Sequence, residues 1–121
     1  MKKTVIIGAT TNPGRYAYLA AQLLAEKGHE IVPVGIKKGV VFDQEILDLR
    51  QKPEISDVDT VTLYIGPQNQ PEWYDYIVGL KPKRIIFNPG TENYELEKLA
   101  NQHGIETEEA CTLVMLRIGN Y

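Results

Sequence analysis

Gly8-Ala9-Thr10-Thr11-Asn12-Pro13-Gly14-Arg15 is the stretch of this sequence best suited to holding an anion. Small residues let a ligand approach the backbone. Amide groups at the start of a following helix, together with its dipole, attract negative charge, and Arg15 adds a full positive one. Tyr16 stands where it would line the same groove. The identical residues also suit an ordinary strand-to-helix turn whose glycines serve chain geometry alone. Two phosphate loops are excluded by spacing. A Walker A loop needs four residues between its glycines, then Lys and Ser or Thr; here five separate Gly8 from Gly14, and Arg15-Tyr16 follow. The dinucleotide pattern G-x-G-x-x-G fails at Thr10 and Pro13.

Val34-Gly35-Ile36-Lys37-Lys38 discriminates further. An NAD site places an acidic residue at the end of its second strand to hold the ribose diol. Two lysines suit a phosphate carried on the adenosine ribose, as in NADP or coenzyme A, or else form a solvated basic turn. Ile65-Gly66-Pro67 and Asn88-Pro89-Gly90 are further loop candidates, and Cys111 follows the last strand. His29 and His103 flank helix-ending glycines, where an imidazole can satisfy terminal carbonyls. Glu45, Asp48, Glu106, Glu108 and Glu109 read as solvated faces. No Ser-His-Asp order, paired-histidine metal site or H-E-x-x-H occurs, so no catalytic or metal-binding residue is assigned.

The elements that must position these loops alternate in period. Val5-Ile6-Ile7 is a short apolar run, as in a strand buried on both faces. Tyr16, Leu19, Ala20, Leu23 and Leu24 mark one helix face, with Asn12-Pro13 as cap and first turn and Gly28 as stop. Strands are expected at 30–34, 60–65, 84–87 and 105–110. Trp73, Tyr76, Ile77 and Leu80 mark a second helix; Leu96, Leu99, Ala100 and His103 mark a third, capped by Asn93. Residues 39–59 read as a short strand and irregular loop, and 112–121 as a helical turn. The expected fold is α/β: a Rossmann-like three-layer domain with a doubly wound parallel sheet of about five strands, plus a short edge strand. Ligands of such sheets bind beyond the carboxyl ends of the strands, where strand order reverses.

Composition narrows the class. At 121 residues, 43% hydrophobic and 24% charged, the chain reads as one globular domain spanning 1–121. A net charge of −3 argues against a nucleic-acid coat, and one cysteine excludes an internal disulfide. No apolar run is long enough to span a membrane, and Met1–Gly8 reads as a first strand, not a signal peptide. A cytoplasmic address is expected.

Taken in order, these pieces resemble the small stand-alone CoA-binding proteins, Rossmann-like domains similar to the CoA-binding domain of the succinyl-CoA synthetase α subunit. The likeness runs from Thr4 to about Leu116. Gly8-Ala9-Thr10, Asn12-Pro13 and Arg15 match the family's first loop; Val32-Pro33-Val34 matches its second-strand exit, which departs at Gly35-Ile36. Val58-Asp59-Thr60-Val61, Ile65-Gly66-Pro67, Asn88-Pro89-Gly90, Gly104-Ile105 and Ala110-Cys111 follow in the family's order. The resemblance implies that coenzyme A or an acyl-CoA contacts Gly8, Ala9, Thr10, Thr11, Asn12, Arg15, Tyr16, Val34, Gly35, Ile36, Lys37, Lys38, Ile65, Gly66, Pro67 and Gly90. It implies a non-catalytic carrier or sensor, since the chain holds no ligase domain. The rival readings are an NADP-dependent oxidoreductase and a regulatory domain that binds a protein partner with an empty scaffold.

Overall fold

Every residue from Met1 to Tyr121 is described by the structure, a computed structural model. Strands β1 (Thr4–Ile7), β2 (Ile31–Gly35), β5 (Leu47–Asp48), β6 (Thr60–Leu63), β7 (Arg84–Phe87) and β8 (Glu106–Glu109) form one parallel sheet in the order β5-β2-β1-β6-β7-β8. The chain starts in the middle, builds outward through β2 and β5, then returns to β6 on the other side of β1. Thr4 is therefore in register with both Ile31 and Thr60. That reversal makes the sheet doubly wound, with its crevice above β1 and β6.

Period-two alternation sends successive strand residues to opposite faces. Val5, Ile7, Val61, Leu63, Ile85 and Phe87 pack on one side, beneath helices α2 (Tyr74–Gly79) and α3 (Tyr94–Gln102). Ile6 joins Ala17, Ala21 and Leu24 of helix α1 (Tyr16–Glu26) on the other, together with Leu116 of helix α4 (Thr112–Ile118). Both faces of β1 are thus covered, as its uninterrupted apolar run requires.

Two expectations about α1 change. The α1 cap is Arg15, not Asn12, because Asn12 Oδ1 accepts from the Gly14 amide at 2.9 Å and stabilises a turn of its own. The buried stripe of α1 is Ala17, Ala20, Ala21 and Leu24, while Tyr16 remains 72% exposed. As the first helical residue, Tyr16 sits at the lip of the sheet's edge, and the alanines let the helix lie close on the strands.

Within 39–59, β3 (Val40–Val41) and β4 (Gln44–Glu45) make a separate antiparallel hairpin, turned at Phe42 and Asp43 with φ of 47° and 68°. The edge strand is Leu47–Asp48, paired with Val34 and Gly35. At the opposite edge β8 is shorter than the expected 105–110. Its glutamates discourage pairing with another chain.

Candidate functional site

A groove of about 660 Å³ opens along the carboxyl ends of β2, β1, β6 and β7. Gly8 and Ala9 form its floor at β1. Gly8 holds φ at +98°, and an added Cβ would stand 3.0 Å from Ile65 and 3.1 Å from the Tyr64 carbonyl. Gly8 and Ala9 both donate their amides to the Val34 carbonyl, at 2.9 and 3.0 Å, so neither faces a ligand as a donor. The amides of Thr10, Thr11, Tyr16 and Ala17 make no hydrogen bond within the chain and remain available. The start of α1 therefore keeps its unpartnered donors beside Arg15, the arrangement that favours an anion.

From β2, Gly35, Ile36 and Lys37 form the adjoining wall. Arg15 and Lys37 form no ion pair, so both charges remain uncompensated toward the groove. Arg50 fixes this exit: it donates from Nε to Asp48 Oδ1 at 3.0 Å and from Nη2 to the Ile36 carbonyl at 3.3 Å. Its hydrogen bonds hold the Asp48 carboxyl below the usual range and neutralise the acid nearest the lysines.

Across the crevice, Ile65, Gly66, Asn69, Glu72 and Trp73 follow β6, while Pro89, Gly90 and Thr91 follow β7. Gln70 fastens these two loops. Fully buried, it donates from Nε2 to the Ile65 and Thr91 carbonyls at 3.0 and 2.9 Å and accepts from Asn93 at 2.8 Å. Asn88 secures the layer below by donating to Thr62 Oγ1 and the Leu63 carbonyl and accepting from the Thr112 amide. Tyr64 lies partly beneath the floor; its hydroxyl lacks a hydrogen bond and burial raises its pKa.

Gly8, Ala9, Thr10, Arg15, Tyr16, Gly35, Ile36, Lys37, Ile65, Gly66 and Gly90 are brought together here. Five expected residues do not line the groove. Thr11 packs its methyl near Gly39, Asn12 is engaged in its own turn, and Val34 is wholly buried. Lys38 is exposed in the chain after the β2 exit, and Pro67 begins the following 3-10 turn. Cys111 is half-buried at the cap of α4, also outside the groove. Leu49, Tyr64 and Glu72 line it without having stood out in the sequence, and Trp73, expected only as part of a helix face, lines it too.

A hollow of about 820 Å³ at the opposite, amino edge is larger but unsuited to an anion. Its three cations, Lys2, Lys83 and Arg84, face three carboxylates, Asp59, Glu106 and Glu108. Arg84 is engaged by Thr60 at 2.9 Å, Glu108 at 3.2 Å and the Tyr121 ring at 4.4 Å. Of the two edges, only the carboxyl one has unpaired positive charge beside free helix-start amides.

The family model described as "CoA binding domain" matches residues 2–117. The chain belongs to this family. This CoA-binding domain is also similar to the crystal structure of an uncharacterized protein, with 58% identity, TM-score 0.96, and coverage of 100% of this chain and 98% of that one. A hypothetical protein from Pyrococcus horikoshii OT3 shares the fold at 24% identity and TM-score 0.83, covering 97% of this chain and 82% of the other. So does a Thermus thermophilus protein at 22% identity and TM-score 0.83, covering 99% and 90%. No protein of curated function matches. No helix of the CoA-binding domain is long and apolar enough to cross a membrane.

Proposed function

We propose that residues 1–121 act as one cytoplasmic module that holds coenzyme A or an acyl-CoA across the carboxyl edge of its sheet, and delivers or senses it without catalysis. The observation that carries this reading is the convergence of Arg15, Lys37 and the unpartnered amides at the start of α1 on one groove. Arg15 and those amides face the pyrophosphate, and Lys37, with Lys38 beyond it, faces the ribose phosphate. Gly8, Ala9 and Gly35 admit the nucleotide close to the backbone, with Thr10, Tyr16 and Ile36 alongside. Ile65, Gly66 and Gly90 border the path of the pantetheine arm. Thr11, Asn12, Val34 and Pro67 shape the loops rather than touch the ligand.

Lysine charge alone does not separate the 3′-phosphate of CoA from the 2′-phosphate of NADP, so the ligand itself must be identified. Mass spectrometry of the purified protein under gentle conditions does this directly. A mass increment equal to CoA or an acyl-CoA is expected. An NADP increment would transfer the reading to an oxidoreductase. Protein that carries nothing, and takes up neither ligand when offered, would support a partner-binding scaffold.

A further inference from the structure

The groove is electrically asymmetric, and the asymmetry bears on which acyl groups it accepts. Spatial order along the edge is β2, β1, β6, β7. The cations stand at the first two strands, Lys37 after β2 and Arg15 at the start of α1. Beyond β6 the lining changes to Asn69, Glu72 and Trp73, and Glu72 is the single carboxylate in the whole lining. Trp73 is half-buried and packs against the core, so it offers a fixed apolar shelf.

We propose that Glu72 and Trp73 border the thioester end of the bound ligand and select neutral acyl-CoAs over those whose acyl group ends in a carboxylate. The inference rests on the CoA reading above. The polyanionic end of the ligand is drawn to Arg15 and Lys37; the reverse orientation would set its ribose phosphate against Glu72. From the β1 exit to the β7 exit is two strand spacings, roughly 10 Å. The pantetheine arm has about twelve chain atoms, equivalent to about four residues, and spans roughly 14 Å when extended, enough to cover that distance. Its sulfur therefore reaches the loops that hold Glu72, Trp73 and Thr91. A terminal acyl carboxylate there meets a like charge. At about 5 Å in water-like surroundings that repulsion lowers affinity about 4-fold, and it weakens as salt screens it.

Two measurements on the intact protein test this. Trp73 is the chain's one tryptophan, so its emission reports this end of the groove. CoA should change that emission, while 3′,5′-ADP, which lacks the arm, should bind calorimetrically and leave it unaltered. Butyryl-CoA should bind about 4-fold more tightly than succinyl-CoA at low salt, and Glu72→Gln should bring the ratio of the two affinities close to one. An equal emission change with 3′,5′-ADP, or equal affinities for the two thioesters in the parent, would overturn the proposal. Failure of CoA and 3′,5′-ADP alike to bind would instead remove the CoA reading on which it stands.

Discussion

Replacing Gly35 with alanine should be the costliest single-methyl addition near the groove. Gly35 is buried in β2, and an ideal Cβ there would stand 2.6 Å from the Ala9 carbonyl oxygen and 3.4 Å from the Ala9 amide nitrogen. The obstacle is backbone, so no rotamer change relieves it. The β1 exit loop must move away, which strains the Gly8 and Ala9 hydrogen bonds to Val34. Overpacking costs about 1–3 kcal/mol, and one weakened hydrogen bond adds about 1 kcal/mol. A total of about 2–4 kcal/mol, at about 4 °C per kcal/mol for a chain of this size, lowers the melting temperature by about 8–16 °C. Thermal denaturation followed by circular dichroism measures it. Gly79→Ala is the matched control: nothing lies within 4 Å of its added Cβ at the end of α2, so a gain of about 0.4–1 kcal/mol is expected. A Gly35→Ala protein that melts within about 2 °C of the parent would refute the close approach of β2 and the first loop.

Lys37→Ala should weaken CoA about 10-fold and leave dephospho-CoA unaffected by calorimetry, whereas Lys38→Ala, beyond the groove lining, should change either little. Burial, then the hydrogen-bonded Glu109 beside it, raises the pKa of Glu97. Ionised Glu97 therefore costs stability: Glu97→Gln should melt higher than the parent at pH 7. That advantage should shrink as pH falls through the raised value and vanish below the ordinary glutamate pKa of about 4.3. Burial lowers the pKa of His29, whose Nδ1 accepts from the Lys2 amide at 3.0 Å. Its contribution should be complete above about pH 6.5 and lost as pH falls from there to the depressed value, a slope that denaturant melts of His29→Asn should lack.

The sheet was legible because Val5-Ile6-Ile7, Thr60–Leu63 and Arg84–Phe87 are continuous buried runs bounded by glycine or proline. Residues 39–59 were not. Strands of two residues carry no measurable period, and the hairpin turns on Phe42 and Asp43 at positive φ with no glycine to announce it. In the groove, the β1 and β2 walls could be read from small and basic residues adjoining strand ends. Beyond β6, Ile65, Gly66 and Gly90 could be read in the same way, but Glu72 and Trp73 could not, since Trp73 falls on a helix face and Glu72 in no motif. Gln70 shows the limit most clearly: its role depends on Thr91 and Asn93, more than twenty residues away, and no local spacing encodes that meeting.

A calorimetric titration of protein freed of bound nucleotide, with CoA, dephospho-CoA, NADP and NAD in parallel and melting temperatures alongside, tests the central claim most directly. At 100 times its dissociation constant CoA should stabilise the fold by about 2.7 kcal/mol, an increase in melting temperature of about 11 °C at the scaling used above. Dephospho-CoA should bind more weakly for want of the phosphate facing Lys37, NADP more weakly for want of the arm that crosses toward Trp73, and NAD least. Binding of NADP as tight as that of CoA, or no response to CoA at all, would contradict the account.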